Sequence, residues 1–372
     1  MREHWDSCIT HFDEKVANFI SDYFSASDRR CIIFAGAGFD PRSRRIAEAL
    51  HSTLGTRLMA YLVREERADP AEPLRQAADE NEASLKALVA NTVVERVRVF
   101  DPEDGAPIGG SLIARALANF RWPEGITDVV LDASALSTGI GFPMARFLLE
   151  YCEAQAGLNF HIMITSNPEL DERIVGEPYS NPTYVRGFQG AVSDYGGNPI
   201  ARIWLPQLAS GRMAALLKIR AYHRDEIYKV CPVLPFPARN PRRADDLISE
   251  FGSFLTDEGV DARDLLYVSE RNPLDSYRKV SMLKKRYDRT VEDIYTPELL
   301  LSPLGSKVMA FGAMMAAIEH GLPVQHVENL RYEYGPAPHG ASDSPPDMIV
   351  HIWLHGPIYA GYHPARPDEP RS

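Results

Sequence analysis

Hydrophobic positions along this chain switch repeatedly between two periods. CIIFAGAG (31–38), RLMAYLV (57–63), VERVRVF (94–100), VVLDAS (129–134) and NFHIMIT (159–165) are short runs rich in apolar residues. Runs of this kind predict strands, and the continuous apolar run CIIFAGAG predicts one buried on both faces. Between them, apolar residues recur at helical spacing in PRSRRIAEALHSTLG (41–55), in residues 73–90, in GGSLIARALANF (109–120) and in GFPMARFLLEYCEAQ (141–155). Pro41 suits a first helical turn and Gly55 a helix end. Trp5, Phe12, Val16, Phe19, Ile20 and Phe24 predict one further amphipathic helix over 4–25. Strand alternating with helix predicts a mostly parallel sheet.

The rhythm resumes after residue 200. RIWLPQL (202–208), EIYKVCPVLPF (226–236), DLLYVSE (264–270), LLLSPLG (299–305) and VQHVE (324–328) read as strands. SGRMAALLKIRAYH, RRADDLISEFGSFL, PLDSYRKVSMLKKRYD and a segment ending near Gly321 read as helices. MIVHIWLH (348–355) predicts an extra strand, and HPARPDEPRS a disordered end.

Residues 129–150 and 299–319 have the same strand, loop and helix pattern at an offset of 170 positions. The same offset, within a residue or so, relates 31–38 to 202–209, 57–63 to 227–233 and 94–100 to 264–270. The fold class expected is therefore α/β, with two Rossmann-like halves and mostly parallel sheets, and the spacing suggests a tandem duplication. The boundaries expected are an N-terminal helix (1–26), a first half (27–200), a second half (201–346) and a C-terminal strand and tail (347–372). Residues 166–200, rich in Gly, Pro, Asn and Tyr, interrupt the pattern between the halves. A long aperiodic connection of this kind is expected to contribute to a cleft.

The chain has 372 residues, 45% hydrophobic and 24% charged, enough to bury a core without covalent staples. Its formal net charge of −11 disfavours an extended nucleic-acid surface. Cys8, Cys31, Cys152 and Cys231 form no CxxC pair, and the last three lie in apolar runs, as small buried hydrophobes do. The opening MREHWDSCITHFDEKV lacks the apolar core of a signal peptide. No apolar run reaches the roughly 20 residues of a membrane helix. A cytoplasmic location is expected, with no membrane partner.

Open α/β sheets bind ligands at the C-terminal ends of their strands. AGAGFDPRS (35–43) follows a strand and opens a helix: Gly36 and Gly38 allow close backbone approach, Asp40 can cap the helix, and Arg42 can bind phosphate or carboxylate. This is neither the full GxGxxG fingerprint, since Pro41 holds the third glycine position, nor a Walker A loop. In DASALSTG, Asp132 closes a strand, and Ser137, Thr138 and Gly139 offer hydroxyls and N–H groups ahead of a helix. This short stretch resembles the ribose-phosphate loop of type I phosphoribosyltransferases. That family usually carries two adjacent acidic residues; here the second is Ala133, and the spacing to Thr138-Gly139 is one residue longer, so no activity is carried over.

SPLGSK is the counterpart in the second half, with Gly305, Ser306 and Lys307 entering a helix as an anion nest. Glu270 and Arg271 close the strand of SERNPLDSYRK, where charges serve either as acid–base groups or as internal ion pairs. PARNPRR (237–243) is a basic loop, either solvated or facing a phosphate. GxSxG, HExxH and DFG-like motifs are absent, against the familiar serine hydrolase, zincin and kinase readings.

The function expected is binding of a nucleotide or sugar-phosphate-type ligand at strand ends. If the chain acts as a transferase or hydrolase, Asp132 and Glu270 are the catalytic candidates. The alternative is a non-catalytic nucleotide sensor or adaptor, with a protein partner or a second copy of itself. No cofactor is specified, and no ligand set identifies magnesium or any other metal.

Overall fold

The computed structural model describes residues 5–190, 199–223, 226–291, 294–335 and 347–360. Its strands, in chain order, are β1 (Ile9–Phe12), β2 (Cys31–Gly36), β3 (Leu58–Glu66), β4 (Asn91–Arg98), β5 (Asp128–Asp132), β6 (Asn159–Ser166), β7 (Ile174–Pro178), β8 (Thr183–Tyr184), β9 (Ile200–Pro206), β10 (Ile227–Val230), β11 (Val233–Pro235), β12 (Leu266–Val268), β13 (Thr296–Ser302), β14 (Gln325–His326), β15 (Asn329–Tyr334) and β16 (Met348–His355). Seven of them form one mostly parallel sheet in the order β1-β16-β6-β5-β2-β3-β4, in which only β16 runs against its neighbours. A second parallel sheet has the order β10-β9-β13. A parallel bridge from Gln207 to Val233 ties the β11–β12 pair to it.

Residue alternation along the strands sorts the side chains into three cores. On β2, Cys31, Ile33 and Ala35 face an outer layer made by helices Glu14–Tyr23, Arg45–Leu54 and Glu72–Leu88. Ile32 and Phe34 face the opposite way, into a central layer of helices Gly109–Ala118, Thr138–Ala154, Pro273–Val291 and Lys307–His320. The second sheet packs on the other side of that layer through Ile203, Leu205, Leu299 and Leu301. Trp204 and Leu300 point outward, to helices Met213–His223, Arg243–Glu250 and Gly252–Asp257. The two sheets thus enclose a common helical core, and Phe142 and Phe311 meet edge to face at its centre, 5.3 Å between ring centroids.

Local chemistry accounts for most boundaries. Gly321 ends its helix in the left-handed conformation at φ 63°. The run 226–236, expected as one strand, is interrupted at Pro232, which has no N–H to donate. The helix expected from residue 4 begins only at Glu14. Ahead of it β1 pairs antiparallel with β16, an attachment across most of the chain that helical spacing of apolar residues cannot reveal. β16 joins the first sheet beside β6, so the C-terminal strand is part of that sheet and not a separate appendage. The tail beyond 360 lies outside the described residues. All four cysteines are buried and free, and burial raises their thiol pKa values, that of Cys8 to about 12. Among the described residues no helix is long and apolar enough to cross a membrane.

The β1–β16–β6 pairing also creates a chain of ring nitrogens. His11 Nδ1 lies 2.9 Å from His351 Nδ1, His351 Nε2 lies 3.0 Å from His161 Nδ1, and His161 Nε2 lies 3.2 Å from Asp128. Burial, then repulsion from His161 and His11, holds the pKa of His351 well below its ordinary 6.5. Below about pH 6.5 the unfolded chain gains a proton there that the folded chain refuses, so this residue costs stability as the medium is acidified. His351→Gln is expected to lose less melting temperature than the parent between about pH 7.5 and about pH 5.5. Parallel melting curves for the two proteins would refute this.

Candidate functional site

From β2 the chain winds one way to β3 and β4. β5 and β6 lie on the other side of β2, so strand order reverses between β2 and β5. Connections leave such a point to opposite faces and open a crevice at the strand C-termini. The second sheet has the same reversal, with β9 lying between β10 and β13. The helices that follow β5 and β13, Thr138–Ala154 and Lys307–His320, both belong to the central layer, and their first residues open onto one cavity of about 250 Å³.

Residues singled out at separate strand ends meet there. Gly38, Asp40 and Arg42 after β2, Ser137 and Thr138 after β5, Glu270 after β12, and Gly305, Ser306 and Lys307 after β13 all line this cavity. A Cβ added at Gly38 would touch nothing within 4 Å, so this position opens onto free space. Gly36, Asp132 and Gly139 are buried and are not part of the lining. Gly36 passes so close to the loop after β5 that a Cβ would lie 3.0 Å from the Ala135 carbonyl oxygen.

Arg42 is buried, and its guanidinium forks onto Asp40 at 3.0 and 2.7 Å and reaches Asp171 at 2.8 Å. Burial works against its charge, but Asp171 and Asp40 outweigh burial and raise its pKa. Asp40 also caps the helical turn at Pro41 by accepting the Arg42 N–H at 2.9 Å. Lys307 reaches across the cavity to donate to the Leu136 carbonyl, linking the loop after β13 to the loop after β5. Among the described residues its ammonium meets no carboxylate in an ion pair. Burial lowers its pKa, with Glu65 and Asp171 pulling the other way.

Asp132 sits under the cavity floor. One of its oxygens accepts the backbone N–H of Ser134 at 2.9 Å and its hydroxyl at 2.5 Å; the other has no hydrogen-bond partner among the described residues. Burial pushes this carboxyl up to about 7, against the pull of the Ser134 bonds. Glu270 accepts the backbone N–H of Arg239 at 3.0 Å and faces the cavity. In the basic loop 237–243, Arg243 lines the cavity and pairs with Glu172.

A second set of charges closes the cavity beside β3. Glu65 accepts the Ser137 N–H at 2.7 Å and pairs with Arg67 at 3.0 Å; Arg67 reaches Glu328 at 3.5 Å and the Asn329 carbonyl at 2.9 Å. Its guanidinium lies 4.9 Å from the centre of the Tyr332 ring. His326, 3.6 Å from Glu328, has its pKa lowered by burial, with Glu328 opposing. Sequence reasoning missed this group. The usable signal was the acidic pair Glu65-Glu66 closing a strand, hidden because the apolar run stops at Val63. Arg67 and Glu328 are 261 positions apart, and nothing local announces their meeting. From the connection 166–200, Pro168, Asp171, Glu172 and Ile174 line the cavity, and β7 pairs antiparallel with β15 beside it; residues 191–198 lie outside the described residues. Among the described residues no group of three or more His, Cys, Asp or Glu could hold a metal ion.

No family model matches the chain, and no curated protein matches it. Among solved structures it is similar to a putative universal stress protein from Pseudomonas aeruginosa, at TM-score 0.24 and 11% identity over 82% of this chain and 94% of that one. It is also similar to the CcbJ methyltransferase from Streptomyces caelestis, at TM-score 0.22 and 17% identity over 48% and 55%, and to the human methyltransferase 10 domain containing protein, at 0.21 and 15% over 45% and 71%.

Two outcomes follow from this geometry. A Cβ at Gly139 would lie 1.8 Å from a Glu328 carboxylate oxygen. Gly139→Ala is therefore expected to cost about 1–3 kcal/mol in chemical denaturation. Much of that loss should disappear when Glu328→Ala is already present, whereas simple additivity would show that the two residues do not collide. Asp132, with its folded pKa near 7 against 3.8 in the free side chain, keeps a proton that the unfolded chain releases between those values. Its protonated form supports the fold at low pH, and that support is lost as pH rises through about 7. Asp132→Asn should gain melting temperature relative to the parent as pH rises from 3.8 to about 7, and hold that gain above it. A difference that does not vary with pH would contradict this assignment.

Proposed function

We propose that the chain binds a small phosphorylated ligand, of the nucleotide or sugar-phosphate type, in the cavity between the two sheets. The observation that carries this reading is the convergence of two helix N-termini, at Thr138 and Lys307, on one cavity, with the Lys307 ammonium between them. Free N–H groups and the positive end of each helix dipole favour an anion there. An ammonium has three N–H donors; the Leu136 carbonyl takes one of those on Lys307, which leaves two for ligand oxygens. Of the arginines around it, Arg42, Arg67 and Arg243 are each held by carboxylates and serve the walls, while Arg212 donates to the Ile174 carbonyl at 3.3 Å. If the ligand is turned over, Glu270 is the acid–base group that faces it, and Asp132 acts indirectly by orienting Ser134.

We further propose that the body arose by tandem duplication, with halves near 27–200 and 201–346. The four segment pairs offset by 170 positions support this. β2 and β9, β3 and β10–β11, β4 and β12, and β5 and β13 hold the same places in the strand orders of their respective sheets.

Adenosine diphosphate and ribose 5-phosphate, each with and without magnesium, are the first ligands to test by thermal stabilisation, because binding to the folded state raises the melting temperature by mass action. At about 100 times its dissociation constant a ligand should add about 2.7 kcal/mol. Lys307→Gln keeps a donor for the Leu136 carbonyl and removes the charge, so it should lose most of that stabilisation. No shift with any of these ligands at millimolar concentration, or a shift that Lys307→Gln leaves intact, would overturn the proposal.

A further inference from the structure

A second chamber of about 370 Å³ abuts the first. Gly38, Phe39, Glu65, Arg67 and Tyr332 line both, so together they form a partition. Beyond it the second chamber is walled by Leu74, Ala78 and Asp79 of helix Glu72–Leu88, and by Arg64 and Glu66 at the end of β3.

The two chambers differ electrically. In the second, Arg64 is paired with Asp79 at 2.8 Å and Glu82 at 3.6 Å, Arg75 with Glu72 at 2.6 Å, and Arg96 with Glu66 at 3.1 Å. Each cation already has its counter-charge, and the chamber suits an uncharged group with polar edges. The Phe39 ring, 5.5 Å from that of Tyr332, together with buried Leu74 and Ala78, supplies apolar surface for a flat face. Carboxylate and guanidinium edges around it supply acceptors and donors. The first chamber holds Lys307 without an ion pair among the described residues, and so suits the anionic end.

Between them stands Glu65. One of its oxygens takes the Ser137 N–H and the other faces Arg67. A carboxylate has about four lone-pair sites, so acceptor capacity remains for two vicinal hydroxyls. A carboxylate at the end of the second strand, flanking a glycine loop after the first, is where an α/β sheet receives a ribose.

We propose that the ligand is a nucleotide and not a simple sugar phosphate: its base occupies the second chamber, its ribose hydroxyls meet Glu65, and its phosphate lies at the two helix N-termini. This rests on the phosphate-binding reading of the first chamber. The test is calorimetric titration of the full chain with adenosine diphosphate, uridine diphosphate and ribose 5-phosphate, in the parent and in Ala78→Trp, whose indole would fill the second chamber. At least one diphosphate is expected to bind the parent tenfold or more tighter than ribose 5-phosphate. Ala78→Trp should abolish that preference and leave ribose 5-phosphate binding unchanged. If melting curves show Ala78→Trp unfolded, Ala78→Leu is titrated in its place and should reduce the preference. Equal affinities in the parent, or a preference that survives in the folded variant, would overturn the second chamber's role and leave the phosphate site standing. Failure of all three ligands to bind the parent would instead remove the phosphate reading itself, and this inference with it.

Discussion

Everything at the candidate site depends on one packing constraint: both sheets bury their inner faces against the same layer of helices. Helices Thr138–Ala154 and Lys307–His320 cannot move apart without exposing Phe142, Phe311 and the apolar positions around them. At roughly 1.5–3 kcal/mol for each fully buried large apolar side chain, separating the layers would cost more than a typical domain's whole net stability. The positions of the helix N-termini are therefore consequences of core packing. Lys307 meets the Leu136 carbonyl because of that packing, and no loop has to be ordered separately to bring the two together.

The cavity walls show a different balance. Arg42 and Arg67 are taken out of water, which is expensive unless each finds carboxylate partners in good geometry. Asp40 and Asp171 do this for Arg42, and Glu65 and Glu328 for Arg67. Such pairs add little net stability but penalise misplacement, because removing one partner leaves an uncompensated buried charge. They tie together segments far apart in the chain: the loop after β2 to the segment after β6, and the end of β3 to the strand segment near 328. The cavity rim is thus drawn from several elements while its geometry stays fixed.

The first sheet is completed by both ends of the described chain. β16 lies between β6 and β1, and the histidine chain from His11 to Asp128 crosses this seam. The seam is on the far side of β6 from β5, away from the strand reversal at β2 and β5. Its pH sensitivity therefore concerns the integrity of the sheet more than the chemistry of the cavity.

Period and composition were enough to read the buried strands, because a strand covered on both faces must be apolar at successive positions, as at 31–36 and 129–131. The helix ends at Gly55 and Gly321 were legible for an equally local reason, the conformational freedom of glycine. Loops at strand ends stood out as places for anion chemistry because their glycines, hydroxyls and lysine are contiguous in sequence. Pairing between distant segments leaves no such trace. The placement of β1 against β16, the Glu65–Arg67–Glu328 cluster and the burial of Asp132 beneath Ser134 depend on which surfaces meet after the layers pack. Helical spacing over 4–25 could not reveal an edge strand that exists only because β16 offers it unpaired hydrogen-bonding groups. Local pattern set most of the helices, the buried strands and the residue types at their ends. Tertiary structure alone decided which ends share a cavity, because that depends on burial of apolar faces hundreds of residues apart and not on any neighbour along the chain.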